Sequence, residues 1–170
     1  RNEGELRNIL YTSQLGLNHP IAIRYPRGRG VLFNWEKPFE IIKLGTGVCL
    51  QKGKGIAILS IGTIGNNVTK ALEEFPNIAH YDMRFAKPLD EKLLHTICSN
   101  FKQIVTLEDG VEKGGFGSSI LEFIVKHNYK NNVNVLGIQD HFVEHGTIEE
   151  LQKMNGIDIS SIKRVIRSIS

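Results

Sequence analysis

Two arginines bracket a tyrosine and a proline in Arg24-Tyr25-Pro26-Arg27, directly after the apolar stretch Ile21-Ala22-Ile23 and directly before Gly28-Arg29-Gly30. A guanidinium presents a planar fork of N–H donors that matches a phosphate or a carboxylate. Ile-Ala-Ile predicts a short buried strand over 20–24, and Pro26 ends its pairing because proline has no N–H to give a ladder. Arg27 then falls in a flexible cationic corner at a sheet's carboxyl end, where open α/β sheets bind ligands. The competing reading is an arginine pair that caps carbonyls or bridges a domain boundary. Composition alone does not choose between them.

Other clusters carry weaker chemistry. Glu108-Asp109-Gly110, with Asn131-Asn132 some twenty residues on, resembles the Gly-Asp-Gly turn with a later Asn by which thiamine-diphosphate enzymes hold Mg²⁺. That turn needs its first glycine so that backbone can approach phosphates; Glu108 stands there and would repel them. A strand-end turn whose carboxylates cap or pair is the simpler expectation. Gly114-Gly115-Phe116-Gly117-Ser118-Ser119 opens a predicted helix, so its amides could form an anion nest. It lacks the Walker lysine and the G-x-G-x-x-G spacing, and Ser118 or Ser119 could instead cap the helix. His141 and His145 have i, i+4 spacing, but Gly146-Thr147 just after them predicts an irregular loop, and no third ligand is near in sequence. Arg84 and Lys87 could meet an anion, yet Lys87-Pro88-Leu89-Asp90 reads as a turn with Asp90 capping the next helix. His19, His80, His95 and His127 show no partner pattern, and no nucleophile elbow or Cys/His pair appears.

The elements that must carry these residues alternate in type. Leu6, Ile9, Leu10 and Leu15 give a helical stripe over 2–15, stopped by Gly16 and Asn18. Strands are predicted at Gly47–Leu50 and Ile56–Ile61, joined as a hairpin through Lys52-Gly53-Lys54-Gly55. A helix over Thr63–Phe75 follows, then a strand at Ile78–Met83. The segment from Asp90 to Cys98 reads as a helix, Phe101–Leu107 as a strand, Phe116–His127 as a helix and Val133–Ile138 as the last strand. Thr147 with Glu150 is a capping box opening one helix, and Ile159–Ile169 forms another. Strands alternating with helices imply crossovers and a mostly parallel five-stranded sheet with one antiparallel edge strand, packed as a three-layer α/β/α sandwich.

This gives three parts: residues 1–30 as the last helix and strand of a preceding domain, 31–43 as a linker anchored by Trp35, Pro38 and Phe39, and 44–170 as a domain that can fold alone. The start on Arg1, inside a helical pattern, leads us to expect a piece of a longer chain. Of 170 residues, 21 are basic and 18 acidic, and their even spread predicts no nucleic-acid partner; Arg24–Arg29 is too short for an RNA-binding Arg-Gly repeat. No apolar run approaches a membrane span and no signal peptide is visible. Cys49 and Cys98 are both expected to be reduced, packed thiols.

Several segments together resemble the 1-deoxy-D-xylulose-5-phosphate synthase family. Glu3-Gly4-Glu5-Leu6-Arg7 with Tyr11-Thr12, and Ala22-Ile23-Arg24-Tyr25-Pro26-Arg27-Gly28, are similar to the end of its pyrimidine-binding domain. Asp82-Met83-Arg84-Phe85-Ala86-Lys87-Pro88-Leu89-Asp90, Val105–Asp109, Gly114–Ser118 and Gly137–Asp140 with Phe142–Thr147 resemble its transketolase-type C-terminal domain. The Arg-Tyr-Pro-Arg-Gly string separates this family from transketolase proper and from the β subunits of 2-oxo acid dehydrogenases.

The resemblance implies an enzyme that joins pyruvate, after loss of CO₂, to D-glyceraldehyde 3-phosphate on thiamine diphosphate with Mg²⁺. The product feeds isoprenoid, thiamine and pyridoxal synthesis. It implies a homodimer in the bacterial cytoplasm or a plastid, with Arg27 gripping the acceptor's phosphate and Arg24 structural first. The family's Mg²⁺ turn, activating glutamate and catalytic histidines match nothing in these residues. The segment alone is therefore expected to be inactive, to bind neither cofactor nor metal, and to need the missing N-terminal domains. The rival expectation is a non-catalytic, flavodoxin-like binding module whose Gly114–Ser118 nest takes an anion.

Overall fold

The computed structural model describes residues 1–28, 30 and 37–170. Helix α1 (Glu3–Ser13) opens on Asn2, whose side chain accepts from the Glu5 amide at 2.9 Å, with Glu3 and Glu5 in the first turn where the helix dipole favours acids. After it come β1 (Val48–Gln51), β2 (Ile56–Ser60), α2 (Gly65–Ala71, continued by a 3₁₀ turn at Leu72–Glu74) and β3 (Ala79–Asp82). The chain closes with α3 (Glu91–Asn100), β4 (Gln103–Val111), α4 (Phe116–Lys126), β5 (Asn132–Ile138), α5 (Ile148–Met154) and α6 (Ile159–Ile169).

The five strands form one sheet in the order β1-β3-β2-β4-β5. Only the β1–β3 pair is antiparallel, with Val48 opposite Asp82; β3, β2, β4 and β5 run parallel. Alternation along the strands feeds two cores. Ala57, Leu59 and Ile104 face Leu94 and Ile97 of α3 and Ile120 and Phe123 of α4. Ile56, Ile58, Val105 and Leu107 face Val68 of α2 and Ile162 and Ile166 of α6. Helices on both faces of a mainly parallel sheet make the expected three-layer α/β/α sandwich, and all five residues of central β2 are buried.

Three local expectations are corrected. The hairpin at Lys52–Gly55 does not form, because β3 sits between β1 and β2 and takes the antiparallel partner. Gly53 permits this: a Cβ there would lie 2.2 Å from the Ala79 nitrogen, so the loop runs hard against the start of β3. Second, residues 20–24 are not a strand; Pro20–Pro26 has no ladder partner among the described residues. Third, β4 does not stop at Leu107 but continues to Val111 through an irregularity, so Glu108-Asp109-Gly110 lies within a strand end rather than in a turn after it.

The N-terminal end of helix α1 is tied to the end of β3 through Arg1 with Asp82 and Glu5 with Arg84, and the helix is strapped by residues 37–42. Arg7 Nη1 donates to the Lys37 carbonyl, Asn8 Oδ1 accepts from the Glu40 amide, and Thr12 Oγ1 accepts from the Ile42 amide at 2.9 Å with both residues buried. Phe39 stacks on Tyr11 at 4.7 Å and lies under the Arg7 guanidinium. Trp35, named above as a linker anchor, falls outside the described residues.

Candidate functional site: the carboxyl end of the sheet

The carboxyl ends of β2, β3 and β4 converge on Ser60, Asp82 and Asp109, and the strand order reverses direction between β2 and β4. Such a switch point opens a crevice in a parallel sheet. Arg24 reaches into this region. Its Nη1 donates to Asp109 Oδ1 at 2.8 Å and its Nη2 donates to the Asp109 main-chain oxygen at 3.2 Å. Gly62, just beyond β2 with φ +78°, leaves room there: a Cβ on it would lie 4.0 Å from Asp109 Oδ1. Arg24 is thus engaged in an ion pair within the chain, the competing reading weighed in the sequence. Arg27 is exposed and, among the described residues, makes no hydrogen bond or ion pair. Arg29 falls outside the described residues.

A second polar group, which the sequence pattern did not reveal, lies across β2 on β3. His80 and Asp82 are successive same-side residues of β3 and both are buried. His80 Nε2 and Ser60 Oγ are 2.8 Å apart. Burial, then the nearby Arg1 guanidinium, pushes the imidazole down to about 4. Asp82 accepts from the Arg84 amide at 3.1 Å and lies 3.6 Å from Arg1 Nε. Burial and the neighbouring Glu5 carboxylate push its carboxyl up to about 6. Arg84, held at φ +56°, sends its Nε to Glu5 Oε1 at 2.7 Å. Burial works to raise the Glu5 carboxyl, but the Arg1 amino group and Arg84 prevail and hold it below the ordinary range. Arg84, one of the candidate anion contacts, is therefore tied to α1. Lys87 is exposed beside it in sequence.

The acidic residues of the would-be metal turn point in different directions. Glu108 is buried and accepts from the amides of Phe116 and Gly117 at 3.0 and 2.9 Å, while Asp109 turns outward to Arg24. Asn131 donates to the carbonyls of Cys98 and Phe101 at the end of α3. These donors do not converge on a cation, so they do not fit the Mg²⁺ or diphosphate of a thiamine enzyme. The expectation that the carboxylates cap or pair is met.

The same geometry corrects the anion nest. Glu108 already occupies the first amides of α4, a place a phosphate would need. Ser118 does not cap the helix either: its hydroxyl accepts from the Gly114 amide and donates to the Glu112 carbonyl, and Ser119 donates to the Gly115 carbonyl. The helix start Gly115-Phe116-Gly117 carries no side chain able to cap it, and that lack was the one sequence signal of a cap from elsewhere. His141 and His145 sit exposed in an irregular loop, and among the described residues no group of three or more His, Cys, Asp or Glu could hold a metal. Cys98 is buried as expected; Cys49 is not, because β1 is the sheet's edge and its side chain faces outward.

Fold and sequence define the class first. Residues 45–162 match the family model for the transketolase C-terminal domain, and the chain belongs to that family. A split-gene transketolase, described as an inactive β4 tetramer, superposes with a TM-score of 0.69 at 25% identity, covering 76% of this chain and 44% of its own. Within the class, the similar curated proteins are 1-deoxy-D-xylulose-5-phosphate synthases. That of Cytophaga hutchinsonii is 53% identical over 99% of this chain, and that of Bacteroides thetaiotaomicron is 49% identical over 96%. The chain spans about a quarter of their length, 27% and 26% respectively. Among the described residues no helix is long and apolar enough to cross a membrane.

Proposed function

We propose that this chain is the C-terminal part of a thiamine-diphosphate-dependent synthase that condenses pyruvate with D-glyceraldehyde 3-phosphate to 1-deoxy-D-xylulose 5-phosphate and CO₂. Residues 1–30 close the pyrimidine-binding domain, 31–43 link, and 44–170 form the transketolase-type C-terminal domain. Thiamine diphosphate with Mg²⁺ supplies the chemistry that stabilises the decarboxylated donor, and this segment contributes none of its ligands. The intact enzyme is a cytoplasmic homodimer feeding isoprenoid and thiamine precursor synthesis, and the segment alone is inactive.

Within that enzyme Arg27 holds the acceptor's phosphate. One observation carries this: of the two arginines in the corner, Arg24 is engaged by Asp109, while Arg27 is exposed and without a partner among the described residues. A free guanidinium three residues from the Arg24–Asp109 contact at the sheet's carboxyl end suits a phosphate monoester, which takes two parallel N–H donors. The phosphate is remote from the bonds that change, so the contact acts by binding and orienting the aldehyde. Changing Arg27 to Ala in the full-length enzyme is expected to raise KM for D-glyceraldehyde 3-phosphate about ten- to a hundredfold, the size of a lost charge-assisted pair of about 1.5–3 kcal/mol, and to leave KM for pyruvate nearly unchanged. Equal effects on both substrates would remove Arg27 from this role.

A further inference from the structure

The corner that carries Arg27 has little to hold it. No ladder pairs residues 20–26, and among the described residues the only hydrogen bonds joining 21–28 to the rest of the molecule are the two from Arg24 to Asp109. Arg24 is itself well exposed, at 73%, so packing does not fix its guanidinium; Asp109 is 33% exposed and stands on β4. Its neighbour Glu108 is anchored by the amides of Phe116 and Gly117, which ties the backbone on one side of Asp109 to the start of α4. The link from Arg24 to Arg27 is short and stiff. Pro26 sets its own φ near −65° and biases Tyr25 towards an extended backbone. Three residues span about 10 Å at most, so where Arg24 is held decides where Arg27 can reach. Gly28, at φ +145°, then turns the chain away.

We infer that Asp109 of the C-terminal domain is a positioning residue for the acceptor-phosphate site: by gripping Arg24 it sets the corner at which Arg27 receives a phosphate monoester. This rests on the reading of Arg27 given above. It gives β4 a part in acceptor recognition although none of its residues need touch the substrate.

The test compares two acceptors in the full-length enzyme, D-glyceraldehyde 3-phosphate and unphosphorylated D-glyceraldehyde, with Arg27→Ala as the control. Asp109→Ala is expected to raise KM for the phosphorylated acceptor about threefold to tenfold, the effect of one exposed, doubly hydrogen-bonded charge pair. KM for D-glyceraldehyde and for pyruvate should stay within about twofold. Arg24→Gln should reproduce this split, and the double variant should be no worse than either single one, since both remove the same contact. If Arg27→Ala is selective for the phosphorylated acceptor but Asp109→Ala and Arg24→Gln shift both acceptors alike or not at all, the positioning role is overturned and the role of Arg27 stands. If Arg27→Ala itself shows no selectivity, the phosphate reading fails and this inference with it.

Discussion

The carboxylate of Glu108 stands over the first turn of α4, with its Oε1 2.9 Å from the Gly117 amide nitrogen and its Oε2 3.0 Å from that of Phe116. A buried helix start leaves amides that must find acceptors, and here an anion from a neighbouring strand supplies both. Glycine is required opposite it: a Cβ at Gly117 would meet Val135 and Thr106 at 2.6 and 2.7 Å, and one at Gly115 would meet Glu108 Oε2 at 2.5 Å. Glu108→Ala should destabilise this chain by about 2–4 kcal/mol, and Glu108→Gln by about 1–2 kcal/mol, because the amide keeps one acceptor but loses the charge. Urea denaturation of the two variants checks this; an Ala variant as stable as the parent would show that solvent serves the amides equally well.

His80 and Asp82 couple folding to protons with opposite signs. The His80 imidazole, pushed down to about 4 by burial, keeps the native state from taking a proton that the unfolded chain takes below about 6.5. Its stabilisation is present above that pH and is lost as pH falls towards 4. Asp82, pushed up to about 6, holds a proton that the unfolded chain has already released. Its contribution is present below about 4 and is lost as pH rises through 6. Each effect is on the order of 3 kcal/mol, so together they flatten the profile between pH 4 and 6. Asp82→Asn should expose the histidine, with stability falling as pH drops from 6.5. His80→Gln should expose the aspartate, with stability falling as pH rises from 4 to 6. Denaturation midpoints at pH 4, 5, 6 and 7 distinguish the slopes; two variants with slopes of the same sign would refute the opposition.

Arg84 combines a strained backbone with a useful side chain. Its φ of +56° is costly for any residue with a Cβ, while its guanidinium joins β3 to α1 through Glu5. Both Arg84→Ala and Arg84→Gly remove the ion pair, but only glycine relieves the backbone. The glycine variant should therefore be more stable than the alanine variant by about 1 kcal/mol. Thermal unfolding of the pair decides this, and the reverse order would mean that the left-handed turn carries no strain.

The two cysteines should react very differently. Cys49 lies exposed on the edge strand, whereas Cys98 is on the buried face of α3 and burial pushes its thiol up to about 11. An aromatic disulfide reagent should titrate one thiol in the native chain and two in denaturant. Rapid reaction of both under native conditions would place Cys98 in a region that opens readily.

Much of the fold is readable from periodicity. The alternation of strands with helices, the capping box at Thr147 and the Asp90 cap rest on local patterns, and local patterns are what short-period spacing and short-range hydrogen bonds encode. The order of the strands is not local. Lys52-Gly53-Lys54-Gly55 has the composition of a hairpin, but β1 takes its antiparallel partner from β3, some thirty positions later, and β3 then stands between β1 and β2. Ile21-Ala22-Ile23 has the composition of a strand, but a strand needs an edge to pair with, and composition does not say which edge is at hand.

The site divides in the same way. The types and spacing of Arg24, Pro26 and Arg27 mark a cationic corner, because guanidinium geometry and proline stiffness are properties of the residues themselves, but they leave open whether each arginine meets an anion or pairs within the chain. That Asp109 is the partner of Arg24, eighty-five positions away, that Glu108 fills the amides of α4, and that Glu5, Asp82 and Arg84 share one junction were decided by tertiary structure. Those contacts depend on which strand ends lie side by side at the sheet's carboxyl edge. Burial there also moves the His80 and Asp82 proton affinities in opposite directions, and desolvation has no counterpart in an extended chain.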